Sequence, residues 1–361
     1  MAMKVGIVGM PNAGKSSLFG ALTGVAAEAA NYPFTTIEPN VAVVPVIDER
    51  LDAVAATVKA SKTVPDTIEF HDIAGLVAGA HRGEGLGNQF LANIRETDAL
   101  VHVVRAHDDP NVVHPDGRVD PLSDIETIET ELILADLEQA ERRLDRVVRQ
   151  ARGGDRHAVA EEAWLRELIE ALQAGLPARL VPPPDEAPDA VRLLEPLTAK
   201  PVLFVANVGE GDTDVPAAVA EHAAAQGAVA VAVSARLESE LGELDPEDAA
   251  AMRADLGLSE SGLQTVIRGA FALLELVAFF TAGEAKPAQS WHLRRGLSVW
   301  HAAGLIHSDI QKGFVRAEVV SWQALVEGGG YASARERAQL RLEGRDYVVQ
   351  DGDVITVKFT P

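Results

Sequence analysis

The sequence has no cysteine and no long apolar run, and both absences narrow the possible functions. Without cysteine there is no disulfide, no thiolate zinc site and no thiol nucleophile. No stretch of about 18 or more uninterrupted apolar residues occurs, so no membrane-spanning helix is predicted. The first residues, MAMKVGIVG, lack the basic region and the small-residue cleavage site of a signal peptide. We therefore expect a soluble, cytoplasmic protein without a membrane partner.

Basic residues are scarce: 32 lysines and arginines stand against 54 aspartates and glutamates, which gives a net charge of −22. This balance favours solubility and disfavours non-specific binding to nucleic acid, and no DNA partner is expected. The deficit is uneven, because residues 286–361 carry a net charge of +2 and the preceding residues carry −24. The C-terminal end is therefore the part whose charge allows a nucleic-acid contact.

Short apolar runs alternate with helical patterns through much of the chain. With 361 residues, of which 47% are hydrophobic, the chain is long enough for two or three globular domains. Most of the runs are continuously apolar, as in strands buried on both faces of a mainly parallel sheet. A doubly wound α/β domain is therefore predicted. Its predicted strands are Val5–Val8, Val41–Ile47, Ile68–Phe70, Ala99–Val104, Val202–Ala206 and Ala228–Val233.

Two further parts interrupt or follow this domain. Between residues 106 and 201 no strand pattern occurs; a capping box at 123–126 opens a long helix, and Gly153-Gly154 separates it from a second helix. The sequence predicts a helical hairpin over 123–199, an α/β domain over 1–122 plus 200–278, and a small α+β domain over 279–361. The last domain has predicted strands at Phe314–Val320, Tyr347–Val349 and Val354–Phe359.

The first hairpin helix is rich in arginine near its end. Such cations suit the phosphates of RNA, or they form a solvated face that pairs with the acidic residues of the same helix. The residues alone leave both interpretations open. The arginines are Arg142, Arg143, Arg146, Arg149, Arg152 and Arg156, and the acidic residues are Glu138, Glu141 and Asp145.

Gly9-Met10-Pro11-Asn12-Ala13-Gly14-Lys15-Ser16 matches the pattern G-x-x-x-x-G-K-[ST] between a predicted strand and a helix. In this P-loop the glycines let backbone N–H groups curl around phosphates. Lys15 reaches the terminal phosphates, and the hydroxyl of Ser16 is a ligand for Mg²⁺. The sequence therefore predicts a site for a nucleoside triphosphate and magnesium.

Asp72-Ile73-Ala74-Gly75 lies at the end of the predicted strand Ile68–Phe70. An aspartate there can hold Mg²⁺ through water, and Gly75 can offer its N–H to a γ-phosphate. Between the P-loop helix and the next strand, Thr35 and Thr36 offer a hydroxyl that either closes over the metal or belongs to an ordinary turn. The residues alone do not decide between these two roles.

The segment Asn207-Val208-Gly209-Glu210 lies where guanine-specific enzymes carry Asn-Lys-x-Asp. In that motif the aspartate accepts two hydrogen bonds from guanine, whereas adenine presents an acceptor at N1 and a donor at N6. Here the carboxylate is one methylene longer and Val208 replaces the lysine. Ser234-Ala235, after the following strand, is predicted to complete the base pocket with backbone contacts. These changes favour adenine.

Several stretches together resemble the Obg-like ATPases of the YchF type, over essentially the whole chain. They are GMPNAGKSS, NYPFTTIEPN, DIAGLVAGAHRGEGLGNQFL, VDPLSDIETIETEL, NVGE and the C-terminal FFTAG, GFVRAEV and DYVVQDGDVITVKF. The resemblance implies a Ras-like P-loop NTPase domain, an inserted helical coiled-coil hairpin and a C-terminal TGS domain of β-grasp shape. It also implies hydrolysis of ATP in preference to GTP, association with the ribosome, and a role in translation or stress responses.

The resemblance also implies roles for individual residues. Thr36 rather than Thr35 would join Ser16 at Mg²⁺, with Asp72 supporting the metal through water. Asn207 and Val208 would line the adenine, whereas Arg236 stands where a lysine is common. Residues implied to line the phosphates are Asn12, Ala13, Gly14, Lys15, Ser16 and Ser17.

Asn12 resembles a position that helps to hold K⁺ in potassium-activated relatives, so Asn12, Lys15 and Gly75 are the expected catalytic residues. Leu76 stands where Ras-like enzymes carry a water-orienting glutamine, which predicts a low intrinsic rate. His81 is either a surface residue or a substitute for that glutamine. A GTPase of the Obg class, and a ribosome-docking adaptor with nucleotide as a structural ligand, remain alternatives. The expected partners are ATP and the ribosome or its large subunit, and a monomer is expected.

Overall fold

The computed structural model describes residues 3–28, 40–73, 86–109, 112, 117–258 and 261–360. The strands are β1 (Met3–Val8), β2 (Val41–Pro45), β3 (Lys62–Val64), β4 (Thr67–Asp72), β5 (Ala99–Arg105), β6 (Val202–Asn207), β7 (Val229–Val233), β8 (Leu276–Thr281), β9 (Pro287–Arg294), β10 (Phe314–Ser321), β11 (Arg341–Glu343) and β12 (Asp353–Phe359). The helices are α1 (Lys15–Glu28), α2 (Glu49–Val58), α3 (Leu86–Arg95), α4 (Pro121–Ala151), α5 (Arg156–Gln173), α6 (Ala190–Leu194), α7 (Ala217–Ala225), α8 (Ala235–Leu241), α9 (Pro246–Asp255), α10 (Gly262–Leu273), α11 (Val299–Ile306), α12 (Ser308–Lys312), α13 (Trp322–Gly328) and α14 (Tyr331–Glu336). Among these helices, none is both long enough and apolar enough to cross a membrane.

The first sheet has the strand order β2-β4-β1-β5-β6-β7 and is parallel except where β2 meets β4. Every residue of β5 and β6 is buried, as their continuously apolar sequences predict. Helices α1 and α10 cover one face of the sheet, and α3, α4 and α7 cover the other. The predicted doubly wound α/β fold is confirmed, with loops at the carboxyl ends of the strands free to form a site.

Helices α4 and α5 form the hairpin, which packs around its own apolar core of residues such as Trp164 and Leu168. The predicted capping box at 123–126 is wrong, because α4 begins two residues earlier. Asp120 caps the helix by accepting a hydrogen bond from the backbone N–H of Ser123 at 3.2 Å. Pro121 then occupies the first turn, where its fixed φ suits a helix and its missing N–H costs nothing.

A buried carboxylate ties this hairpin to the first sheet. Asp136 of α4 accepts hydrogen bonds from the backbone N–H groups of Leu197 (2.7 Å) and Thr198 (2.8 Å), and from the Thr198 hydroxyl (2.6 Å). Residues 197–199 form a 3₁₀ turn that leads into β6. These three donors are thereby paired away from water, and the bonds fix the position of the hairpin relative to β6.

Two of the hairpin arginines are paired within the protein. Arg142 contacts Glu138 at 3.0 Å across one helical turn, and Arg143 of α4 contacts the buried Glu161 of α5 at 2.7 Å. At these two positions the arrangement is the one expected of a self-paired helix face.

The second sheet has the strand order β11-β10-β12-β8-β9-β3, so it includes a strand from the first quarter of the chain. Strand β3 runs parallel to β9, with Lys62 opposite Pro287 and Val64 opposite Gln289. Helix α2 contributes Leu51 and Val54 to the same core as Phe280. The segment between β2 and β4 therefore packs with the C-terminal sheet, although its sequence position places it within the predicted α/β domain.

Two details of the C-terminal part differ from the sequence-based expectation. The predicted boundary at 279 falls inside β8, which begins at Leu276. The predicted strand Tyr347–Val349 is wrong. This segment instead makes an isolated antiparallel bridge between Val348 and Ser298, just before α11. Strands β10 and β12 are confirmed, and they pair antiparallel.

Strand β5 carries a buried histidine at the interface between the sheet and α4. His102 is 3% exposed, and its Nε2 has no hydrogen-bond partner in the described part of the chain. Burial lowers the pKa of His102 to about 4, and Glu129 only partly opposes this effect. The folded protein therefore holds this imidazole neutral at pH values where the unfolded chain protonates it.

His102 should accordingly make stability depend on pH. Because the pKa in the folded state lies below that of the unfolded chain, stability is present above about pH 6.5 and is lost as the pH falls. Lowering the pH from 8 to 5 should cost about 2 kcal/mol of unfolding free energy through this residue. Urea unfolding at the two pH values should show a smaller loss in His102→Phe, whereas the exposed-site control His301→Gln should behave as the wild type.

Candidate nucleotide site

The loop between β1 and α1 is shaped by close contacts that glycine alone permits. A Cβ on Gly9, whose φ is +152°, would lie 2.3 Å from the carbonyl oxygen of Val103. A Cβ on Gly14, whose φ is +100°, would lie 2.2 Å from Nδ2 of Asn207. Asn12 also adopts a left-handed conformation, with φ of 62°. The sequence motif thus folds into a curled loop whose backbone lies against two neighbouring strands.

Lys15 and Asp72 bring opposite charges to this loop. The ammonium of Lys15 donates a hydrogen bond to the carbonyl oxygen of Met10 at 2.8 Å. Asp72 ends β4 and lies opposite Ile7 of β1. Burial lowers the pKa of Lys15 and raises the pKa of Asp72, while each charge partly counteracts the shift of the other. The loop therefore holds a poorly hydrated cation, which attracts an anion such as phosphate.

The side chain of Asn207 joins three segments at the end of β6. Its Nδ2 donates to the carbonyl oxygen of Ala13 in the P-loop at 3.0 Å, and its Oδ1 accepts from the N–H of Ala235 at 3.0 Å. Ser234 caps α8 by accepting a hydrogen bond from the N–H of Leu237. The predicted phosphate loop and the predicted base segment are therefore joined directly.

A cavity of about 330 Å³ lies along these segments. It is lined by P-loop residues, by the end of β5 and the loop that follows it, by Asn207 of β6 and by the start of α8. The P-loop residues are Asn12, Gly14, Lys15, Ser16 and Ser17; those of β5 and its loop are Arg105, His107, Asp109 and Val112; and those of α8 are Ala235 and Arg236. A cavity that joins phosphate-binding groups to these further segments suits a nucleotide.

Three of the predicted base-reading residues, Val208, Glu210 and Ser234, do not line this cavity. Val208 is 4% exposed, and its N–H donates to the carbonyl oxygen of Val233. Glu210 is about half exposed and contacts Nε of Arg236 at 3.3 Å, and Arg236 also pairs with Glu240 at 2.9 Å. The carboxylate at the guanine-reading position is thus engaged by an arginine.

Sequence reasoning missed Arg105 and His107. Arg105 ends an otherwise apolar strand, and its guanidinium donates to the backbone carbonyl oxygens of His107 (3.0 Å), Asp109 (3.2 Å) and Val112 (2.9 Å). A charged residue that closes a buried apolar strand needs partners, and this was the available signal. No motif connects it to a nucleotide.

Five residues singled out in the sequence lie outside the described residues. They are Thr35, Thr36, Gly75, Leu76 and His81. Of the predicted magnesium ligands, Ser16 lines the cavity, while Asp72 lies close enough to Lys15 to influence its pKa. In the part of the chain that the structure describes, no group of three or more histidines, aspartates or glutamates is arranged to hold a metal by itself. A hydroxyl and a carboxylate suit Mg²⁺ that takes its remaining ligands from phosphate and water.

Comparisons with known proteins find relatives that span almost the whole chain. Residues 276–360 match the family model YchF-GTPase_C, described as a protein of unknown function (DUF933), and residues 4–140 match that of the 50S ribosome-binding GTPases. The "Ribosome-binding ATPase YchF" of Bacillus subtilis is 48% identical over 99% of this chain and 100% of its own length. The protein of the same name from Haemophilus influenzae is 49% identical over 99% of each chain.

Solved structures give the same result. The YchF GTPase of Schizosaccharomyces pombe superposes with a TM-score of 0.86 at 32% identity, covering 99% of this chain and 97% of that one. A GTP-binding protein from Pyrococcus horikoshii superposes with a TM-score of 0.64 at 21% identity, covering 99% of this chain and all of that one, and shares the fold.

Gly14→Ala should abolish tight nucleotide binding. The added Cβ meets Asn207 at the bond that joins the P-loop to β6, and alanine is strained at this positive φ. We expect ATP affinity to fall by about 100-fold or more, about 2.7 kcal/mol, in a titration of the purified protein. Gly24→Ala is the matched control, because within the described residues no atom outside its own stretch of α1 lies within 4 Å of the added Cβ. An unchanged affinity in Gly14→Ala would show that the loop tolerates a different shape.

Proposed function

The chain belongs to the YchF family of nucleotide-hydrolysing P-loop enzymes, and we propose that it is a Mg²⁺-dependent ATPase that binds the ribosome and acts as a nucleotide-switched factor in translation or stress. The observation that carries the proposal is the bond between Asn207 and Ala13, which places the phosphate loop and the base segment on one cavity. The bacterial relatives are named as ribosome-binding ATPases, which supports the ribosome as partner and ATP as substrate, whereas the Schizosaccharomyces pombe relative is named as a GTPase.

In the proposed reaction Lys15 stabilises the charge that develops on the transferred phosphoryl group of ATP. Its partial desolvation strengthens this interaction, because fewer water molecules screen the ammonium. Ser16 and Thr36 would hold Mg²⁺, Asp72 would support it through water, and Gly75 would donate its N–H to the γ-phosphate. The metal, when bound, neutralises charge on the phosphate oxygens.

The proposed preference for ATP rests on the residues that replace the guanine motif. A carboxylate that accepts from guanine needs to face the base, whereas Glu210 contacts Arg236 and does not line the cavity. Val208, in place of the lysine, is buried. Neither residue offers guanine the contacts that Asn-Lys-x-Asp provides.

The alternatives differ in how ribosomes affect ATP turnover and in which nucleotide binds more tightly. An adaptor that keeps nucleotide as a structural ligand should show the same ATP turnover with and without ribosomes. A nucleotide-switched enzyme should change its turnover when its partner is bound. A GTPase of the Obg class should bind GTP at least as tightly as ATP.

ATP should bind at least tenfold more tightly than GTP, a difference of about 1.4 kcal/mol. The double variant Glu210→Asp with Val208→Lys should narrow or invert this difference by restoring the guanine motif. Competition binding with both nucleotides measures it. Equal affinities in the wild type would contradict the proposed preference and favour the GTPase alternative.

Potassium should accelerate hydrolysis if Asn12 helps to hold a monovalent cation against the phosphates. Asn12 lines the cavity beside Lys15, and the sequence has no basic residue between Lys15 and Arg50 to supply an arginine instead. We expect faster ATP turnover in KCl than in NaCl at equal ionic strength, and no difference between the salts in Asn12→Ala. The same rate in both salts for the wild type would leave a group supplied by the partner as the explanation.

A further inference from the structure

The part of the cavity wall that follows β5 is fixed by a buried arginine. Arg105 is 3% exposed, and its guanidinium donates to three carbonyl oxygens of the loop that follows β5. Hydrogen bonds from a charged donor are stronger than neutral ones, and three of them on one planar group restrain the loop strongly. His107, the second residue of this loop, therefore has a defined position at the cavity.

The imidazole of His107 is fixed in its hydrogen-bonding role. Its Nδ1 lies 2.9 Å from the carbonyl oxygen of Asn207. A carbonyl oxygen only accepts, so Nδ1 carries the proton and, in the neutral ring, Nε2 presents a lone pair. Within the described ranges Nε2 has no hydrogen-bond partner. His107 lines the cavity, so its ring provides a hydrogen-bond acceptor there.

Two other side chains that could contact a base, those of Asn207 and Arg236, already have partners within the protein. Both ends of the Asn207 amide are bonded within the protein, to Ala13 and Ala235. Arg236, which lines the cavity, pairs with Glu210 and Glu240. A base that enters with its phosphates on the P-loop therefore meets His107, whose Nε2 can accept a hydrogen bond.

We propose, on the basis of the proposed ATPase function, that Nε2 of His107 accepts a hydrogen bond from the exocyclic 6-amino group of adenine. Guanine carries an oxygen at the same position, so two lone pairs would face each other and the base would be disfavoured. His107 is then a specificity-determining residue, and it selects adenine by an attractive contact rather than only by the loss of the guanine motif.

Purine riboside 5′-triphosphate tests this inference, because it has the ring of adenine without the 6-amino group. The wild-type protein should bind ATP about three to ten times more tightly than this analogue, as expected for one neutral hydrogen bond. The ratio of the two dissociation constants is the readout. A general loss of affinity cancels in that ratio, so a partly damaged variant still gives an answer.

Two substitutions separate the two ring nitrogens. His107→Asn keeps an N–H near the position of Nδ1, where it reaches the Asn207 carbonyl, but has no atom near Nε2; its ratio should fall to about one. His107→Gln places an amide oxygen near Nε2 and should retain part of the wild-type ratio. His301→Gln, at an exposed position of α11, is the control and should leave the ratio unchanged.

The outcomes distinguish this inference from the proposed function. A wild-type ratio of one would overturn the role of His107 while leaving ATP hydrolysis unaffected. A wild-type ratio retained in His107→Asn but lost in Asp109→Asn would also overturn it, and would assign the 6-amino contact to Asp109. Failure of the wild type to bind either nucleotide would contradict the proposed function and this inference with it.

Discussion

The arrangement of the nucleotide pocket depends on a single buried residue, Asn207. Its side-chain amide has an NH2 group that donates and an oxygen that accepts, and burial favours a partner for each of them. The NH2 group bonds to Ala13 and the oxygen bonds to Ala235, so the P-loop and the start of α8 are held at the end of β6. Its backbone carbonyl accepts from Ala106 and His107, which fixes the loop after β5 as well. One residue thereby joins three of the segments that line the cavity.

The charge distribution of the pocket follows from this packing. Because the P-loop lies tightly against β5 and β6, Lys15 is taken out of water and its ammonium contacts the Met10 carbonyl oxygen. A carbonyl dipole compensates less than an anion does, which explains why burial dominates the lowered pKa of Lys15. Asp72 supplies only part of the missing negative charge. The phosphates of a nucleotide would supply the rest, so the packing that removes Lys15 from water also favours binding of the ligand.

Much of the α/β domain could be predicted from the sequence, since β5 and β6 each contain a run that is mostly apolar and the P-loop has a specific motif. The pairing of β3 with β9 could not be predicted. Three residues, Lys62 to Val64, are too few for a periodicity, and their partners lie more than 220 residues later. The roles of Arg105 and His107 were also hidden, because they depend on backbone carbonyls that meet only after folding. Local patterns can be predicted from a sequence, whereas contacts between distant segments of this chain could not be.

The crossing of the segment between β2 and β4 connects the nucleotide site to the C-terminal sheet. This segment leaves the first sheet after β2, adds β3 to β9, and returns as β4, which ends at Asp72 beside Lys15. Arg50 on this segment pairs with Asp351 of the C-terminal part at 2.6 Å. The carboxylate of Asp66, just before β4, accepts from the N–H of His292 at 2.8 Å. Any displacement of β4 along its axis must therefore either carry the C-terminal sheet with it or break these bonds. The position of Asp72 and the position of the C-terminal sheet are in this way mechanically dependent on each other.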